Sequence, residues 1–412
     1  MILNAILGAL ALLSLALLLW QWVAAVRFPL HQRTADKSFT PAVTLLKSLK
    51  GADDATEDCL RSWFAQDYTG EVQILFAVAA ADDPVGGIVR KLMQEFPQRE
   101  VQLLVCTELI GANAKVSKLA ELEKLARHEI LIVSDADVRV PPDFLASSVT
   151  PLRAPEVGLL NCFYRLANPT TLAMQWEAIA INADFWSQVL QSQTLKPLDF
   201  ALGAVMLTRR KQLEEIGGFK SLADCLADDY QLGNRIARKG HRIVLCPVVV
   251  ECWDPPMTWR AVWKHQLRWA RTIRVCQPVP YFFSILSNAG FWALLALVVG
   301  LTQIHARANS PVYVYSSNLM TITGSFPLPV LAVIGAVGIL VRMILAHRLQ
   351  HRLTHSSATP NYFWMVPIKD LLQTAIWLCA FAGNSIEWRG QTYRLRRDGT
   401  LVKPSGQTQQ KT

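Results

Sequence analysis

Residues 129–137, EILIVSDAD, decide how the rest of this 412-residue chain is read. Four apolar residues in a row, Ile130, Leu131, Ile132 and Val133, predict a buried strand of the kind found in parallel sheets. The strand then ends in two carboxylates one residue apart. Ligands of open α/β sheets bind outside the carboxyl ends of the strands, so these acids lie where a ligand is expected. On extended backbone Asp135 and Asp137 point to the same side, and such a pair suits a hard divalent cation that also holds a diphosphate. In an unstructured acidic loop an Asp-x-Asp carries little meaning. Its weight comes from the buried strand before it.

Outward from this strand, residues 40–278 alternate strand and helix, which predicts an α/β domain with a mostly parallel sheet. Strands are expected at 42–46, 73–78 and 101–106, and helices at 56–64, 84–96 and 115–126. The second strand closes in Ala81-Asp82-Asp83-Pro84, again with acids on the carboxyl edge. An Asp-Pro pair also starts helices, where the acid caps the first amides. Two acidic strand ends in one sheet favour a shared ligand site. LADDYQLG (226–233) places Asp228 and Asp229 before a helix expected to run to about Lys239. One acid can cap that helix while the other serves as a general base. Glycosyl transfer from a nucleotide sugar can use such a base on the acceptor while a metal stabilises the departing diphosphate. Residues 258–274, TWRAVWKHQLRWARTIR, predict an amphipathic helix at a membrane interface. Within it Arg268 suits diphosphate oxygens, and Trp269 offers a flat wall to a sugar or acceptor.

The composition is 51% hydrophobic with 13 Trp, high for a purely soluble protein. Residues 2–26 carry no charge and exceed the roughly 20 apolar residues a membrane helix needs. The stretch is too long for a signal-peptide core and no basic segment precedes it, so residues 1–27 are expected to be a retained anchor. Further spans are expected at 281–303 and 326–346, the second carrying Arg342 near its end. The apolar segment 362–382 is broken by Lys369 and Asp370, and an isolated charge at bilayer depth is costly. Arg27, His31, Arg33 and Lys37 follow the first span, which by the positive-inside rule puts the following domain in the cytoplasm. His347, Arg348, His351 and Arg352 fit a return to that side. The basic tail, 385–412, with Arg389, Arg394, Arg396, Arg397 and Lys403, is expected there too. Segment 362–382 therefore reads as re-entrant or interfacial within a membrane region 279–384, and residues 405–412 read as disordered. These clusters, facing anionic lipid, account for the net charge of +9 better than nucleic-acid binding does. The eight cysteines contain no Cys-x-x-Cys, so neither zinc nor a disulfide framework is expected, and a reducing cytoplasm fits.

These pieces in this order resemble the family-2-like inverting glycosyltransferases of the GT-A fold. Among them they resemble the ceramide glucosyltransferase family, family 21, with its bacterial hopanoid-biosynthesis relatives. The resemblance covers most of the chain: TLLKSLKG (44–51), SWFAQDYTG (62–70), DDP (82–84), GANAKVSKL (111–119), SDADVRV (134–140), ADDYQLG (227–233), HQLRWARTIR (265–274) and WRGQTYRLRRDG (388–399). It implies a GT-A domain, a UDP-sugar donor, Mg2+ or Mn2+, and a lipid acceptor such as ceramide or a hopanoid. It also implies three aspartates. The first is Asp83, with Asp82 as the alternative, contacting the nucleotide. The second is Asp135, with Asp137 completing a metal-binding pair, and the third is Asp229, the base. Arg268 and Trp269 match the end of a Gln-or-Arg-x-x-Arg-Trp motif whose first position is here His265. Asn113 and Lys115 fall in a loop the family places near the nucleotide, although a solvated lysine is the plainer reading of the latter. Residues 199–203 and GGF (217–219) resemble acceptor-side loops.

The expected activity is therefore transfer of glucose or N-acetylglucosamine from a UDP-sugar to a lipid hydroxyl. The enzyme would be an integral membrane protein with a cytoplasmic catalytic domain. His265 and the reduced setting point to a bacterial inner membrane, where a hopanoid competes with ceramide as acceptor. A processive polysaccharide synthase shares the motifs but ordinarily needs more membrane helices. A membrane scaffold or transporter with a degenerate nucleotide-binding domain is the third reading, and a transporter would carry its polar groups inside the spans.

Overall fold

The computed structural model describes residues 2–33, 38–308, 330–355, 362, 364–388 and 391–402. Lys37, the first four residues of the span expected at 326–346, Arg389, Lys403 and the polar end 405–412 lie outside them. One sheet organises the molecule: β1 (Val43–Ser48), β2 (Val72–Val78), β3 (Glu100–Val105), β4 (Ile130–Ser134), β5 (Val138–Arg139), β6 (Val157–Leu166), β7 (Val205–Arg209) and β8 (Arg242–Cys252). Their spatial order is β3-β2-β1-β4-β7-β6-β8-β5. Strands β1 to β4 are mutually parallel, β7 runs antiparallel to β4 and β6, and β5 runs antiparallel to β8. The first four strands lie within two residues of their expected positions, because buried central strands make apolar runs that read the same locally and globally. The reversal at β7 sets up the site: Ser134, the last residue of β4, pairs with Val205, the first of β7. The carboxyl end of one strand thus adjoins the loop that enters the other.

Among the described residues three helices are long and apolar enough to cross a membrane: Ile2–Arg27, the helix beginning at Ala289, and Val330–Thr354. The last two meet backbone to backbone; a Cβ at Gly335 would lie 2.4 Å from the amide nitrogen of Leu297. Small residues at a helix contact permit that approach. The second of the three starts eight residues later than expected. Residues 278–287 form a short helix and a tight turn, and Asn288 then begins the long helix, accepting from the Phe291 amide at 3.1 Å. The third continues to Thr354, where Arg352 donates to the carbonyls of Ala25, Val26 and Phe28 at 2.8–2.9 Å, tying its end to that of the first.

Segment 362–382 contains the helix Met365–Phe381. The tail after it forms a small antiparallel sheet, β9 (Ser385–Trp388), β10 (Gln391–Leu395) and β11 (Leu401–Val402). This sheet packs Ile386, Tyr393, Leu395 and Leu401 on Leu226, and the Leu401 amide donates to the Asp224 carbonyl at 2.7 Å. The basic tail reads in sequence as a membrane-surface anchor; in the fold it also buttresses the loop leading to Asp228 and Asp229.

Candidate active site

A cavity of about 1150 Å³ opens at the carboxyl edge of the sheet and reaches in among the membrane helices. Asp135, Asp137, Asp228, Asp229, Arg268 and Trp269 all line it. Two backbone contacts bring the first and second pairs together. The Asp135 amide donates to the Ala204 carbonyl at 3.2 Å. Its neighbour Gly203 lies so close to the helix Asp228–Arg238 that an added Cβ would sit 2.7 Å from Asp229 Oδ2. Gly203→Ala should therefore push the Asp229 carboxylate aside. A displacement on the order of 1 Å costs about a hundredfold in rate, so we expect kcat to fall by about that much with Tm nearly unchanged. A variant with wild-type kcat would count against this placement of Asp229.

Lys115, on the helix Ala114–Leu125, is the cation at the centre. Its Nζ lies 2.7 Å from Asp135 Oδ1 and 3.2 Å from Asp228 Oδ2. Burial pulls the Lys115 ammonium down, but the charges of Asp135 and Asp228 outweigh it and hold the group well above its ordinary value. The alternative of a solvated lysine is thus corrected: the side chain is a buried counter-ion bridging the end of β4 and the start of the helix Asp228–Arg238. With Asp228 committed to Lys115, Asp229 is left as the carboxylate without an ion pair among the described residues. Among them it accepts from its neighbour's amide, Tyr230 N–H, at 2.7 Å. Enclosure, and then the charge of Asp228, push its carboxyl up to about 6. That combination suits a base working near neutral pH.

Asp137 is pushed up to about 7 by burial and then by Asp135 and Asp254, so like charges crowd the end of β4. Lys47, near the carboxyl end of β1, lies beneath them, donating to Ser134 Oγ at 3.2 Å with its ammonium 5.1 Å from the Trp63 ring centroid. Burial pulls it down to about 8. Among the described residues no three His, Cys, Asp or Glu side chains converge as a complete metal cage. The Asp135–Asp137 pair therefore fits a cation that brings most of its oxygen ligands with it, as a diphosphate complex does.

The remaining expected residues divide into two sets. His265 and Trp269 share the cavity wall on the helix Trp259–Cys276, their rings 4.8 Å apart. His265 Nδ1 donates to Glu177 at 2.7 Å and Gln266 donates to the same oxygen at 2.8 Å, so a fully buried glutamate fixes this stretch of helix. Arg268 lines the cavity one residue from Trp269. Asn113, by contrast, is fully buried and caps the helix Ala114–Leu125, accepting from the amides of Lys115 and Val116 and donating to the Cys225 carbonyl and Asp228. Its amide is used up inside the protein, which corrects the expectation of a nucleotide contact. Asp82 is exposed and Asp83 stands one layer behind the cavity, accepting from the Gly51 amide at 3.0 Å and the Val85 amide at 3.1 Å. Gly51, not Asp83, lines the wall. Sequence reasoning did not assign Lys47, Glu177, Asp228 as a lysine partner, or Asp254. Only Lys47 had a local signal, a lone charge inside an apolar strand.

The sheet order, the paired acids after β4 and the acid-started helix facing them define a GT-A glycosyltransferase. The fold is similar to that of the mannosyltransferase PcManGT from Pyrobaculum calidifontis in complex with GDP-Man and Mn2+. That likeness has a TM-score of 0.52 at 19% identity and covers 92% of this chain and 98% of that one. The chain belongs to glycosyl transferase family 21, whose profile matches residues 6–401. Ceramide glucosyltransferase 3 of Caenorhabditis elegans is 22% identical over 219 residues, covering 52% of this chain and 47% of that protein. The ceramide glucosyltransferase of Candida albicans is 32% identical over 128 residues, covering 28% of this chain and 24% of its own. The chain thus spans about half the length, or less, of these curated relatives.

Proposed function

We propose that this protein is a membrane-bound inverting glycosyltransferase that moves a hexose, glucose or N-acetylglucosamine, from a UDP-sugar to a lipid hydroxyl. The observation that carries the reading is the single cavity joining the Asp135, Asp137 and Asp229 carboxylates to the membrane helices. A soluble donor can reach one end and a lipid the other. Asp229 takes the proton of the lipid hydroxyl, whose oxygen attacks C1 of the sugar opposite the diphosphate. The C1–O bond breaks with its electron pair going to the diphosphate, and the configuration at C1 inverts. Arg268 donates to the diphosphate as its charge grows, and Trp269 walls the sugar. Mg2+ or Mn2+, held by Asp135 and Asp137, would supply Lewis-acid charge to the leaving group. Asp83 acts at one remove, fixing the loop around Gly51 against the nucleotide.

The ceramide glucosyltransferase relatives favour a lipid acceptor, and ceramide and a hopanoid are the two we put forward. The topology we propose keeps the catalytic domain and tail in the cytoplasm of a bacterium, with 362–382 re-entrant or interfacial. The docking of the tail sheet on the Asp224–Leu226 loop supports this, since it needs both on one side. At about 1.5 Å per residue the 17-residue helix Met365–Phe381 is also shorter than the roughly 30 Å hydrocarbon core.

The test offers purified protein UDP-glucose and UDP-N-acetylglucosamine separately, each with ceramide or a polyol hopanoid, with and without EDTA. We expect one single-sugar glycolipid, formed only without EDTA. A lengthening polymer would favour a processive synthase, and full activity in EDTA would remove the metal assignment.

A further inference from the structure

Among the membrane helices the same cavity is lined by Gln21, Asp184, Arg342, Lys369 and Asp370. Arg342 donates through Nε and Nη2 to Asp370 at 2.8 and 2.9 Å, and through Nη2 to Asp184 at 2.9 Å. Lys369 donates to Asp184 and stands 3.5 Å from Asp370. With two cations and two anions the cluster is neutral, and every member is under a tenth exposed. Segment 362–382 therefore does not carry isolated charges. One donor stays unused: Arg342 Nη1 is buried and has no partner among the described residues. Gln21 Nε2, on a residue 2% exposed, has none either. Buried donors are nearly always paired, and each one left unmade is costly. Neither is needed to balance the cluster, and both belong to residues facing the cavity.

We infer that Arg342 Nη1 and Gln21 Nε2 form a second polar subsite, which hydrogen-bonds a carbonyl or hydroxyl oxygen of the bound lipid other than the hydroxyl that reacts. An amide carbonyl or a second hydroxyl has that chemistry. A phosphate does not, because it would leave a neutral, enclosed cluster with surplus negative charge. The subsite is tied to the reaction centre through two consecutive residues of the π-helical turn Ala180–Phe185: Asp184 holds Arg342, and Phe185 packs its ring 5.9 Å from that of Trp269. Turns of this kind insert one residue into a helix and re-aim its side chains, often at functional sites. The inference rests on the lipid-acceptor reading above.

The test is equilibrium binding to the full chain in detergent, without donor, of ceramide and of a dialkylglycerol. Both have two chains and a free hydroxyl, but the second lacks the amide carbonyl and the second hydroxyl. Wild-type protein should bind ceramide about tenfold or more tightly, the worth of one hydrogen bond to a charged group. Gln21→Leu and Arg342→Lys should each remove most of that preference and leave dialkylglycerol binding unchanged, and phosphatidic acid should not compete. Arg342→Lys keeps the cluster's charge, and Gln21→Leu leaves the cluster untouched, so both variants report binding and not misfolding. The inference is overturned by equal wild-type affinity for the two lipids, by variants that lose both lipids equally, or by variants that retain the preference. Absence of sugar transfer to any lipid would instead defeat the functional reading, and binding would still report on the subsite.

Discussion

Asp229→Asn is expected to lower kcat by about 10²–10⁴-fold, the usual contribution of a positioned base, with UDP binding nearly unchanged. Asparagine matches aspartate in shape and can still accept from the Tyr230 amide, so the start of the helix survives. Asp228 stays paired with Lys115, and the Asp135–Asp137 end of the site is untouched. Only the capacity to take a proton is removed. A fully active variant would end the assignment. The wild-type pH profile gives a second check. A carboxyl pushed up to about 6 is ionised above that pH and protonated below it, so log kcat should fall toward acid with a midpoint near 6. The residual rate of the Asn variant should lack that limb, and a variant that keeps it would assign the titration to another group.

The second large effect is on stability. Asp370→Ala leaves the Arg342 guanidinium with one carboxylate in a buried setting, and removing one partner of such a pair costs about 3–5 kcal/mol. For a chain of this size that corresponds to several degrees in Tm, readable by a thermal shift in detergent. Asp370→Asn, which keeps one side-chain oxygen acceptor for Arg342, should lose less. If the two variants melted together within a degree of wild type, the cluster would not be holding the membrane helices to the catalytic domain.

Much of this was legible in the sequence where a residue's role is set by near neighbours. Strands β1, β2, β3 and β4 are apolar runs, and the acids that end β2 and β4 follow directly from them. The broken segment 362–382 was readable only as a defect, because the partners of Lys369 and Asp370 are Asp184 and Arg342, up to 185 residues away. No local pattern joins them. The same limit hid the true place of Lys115 and Asn113. Their loop reads in sequence as lying near the nucleotide, and only the packing of Asp135, Asp228 and Cys225 around it turns one into a counter-ion and the other into a helix cap. The tail sheet has no local signature, because its strands run only two to five residues and are apolar just on the face that meets Leu226.

That tail sheet also sets an order in time. The segment that leads into Asp228 and Asp229 leaves the ribosome long before residues 385–402, yet the Asp224 carbonyl accepts from the Leu401 amide and the Leu226 amide donates to the Gly399 carbonyl. Chains fold from the N-terminus as they are made, so the sheet and its acids can assemble early while this loop waits. The membrane helices are synthesised in that interval. Closure of the loop therefore follows synthesis of the membrane helices, and the nascent chain acquires this part of its site geometry only once residues 385–402 have been made.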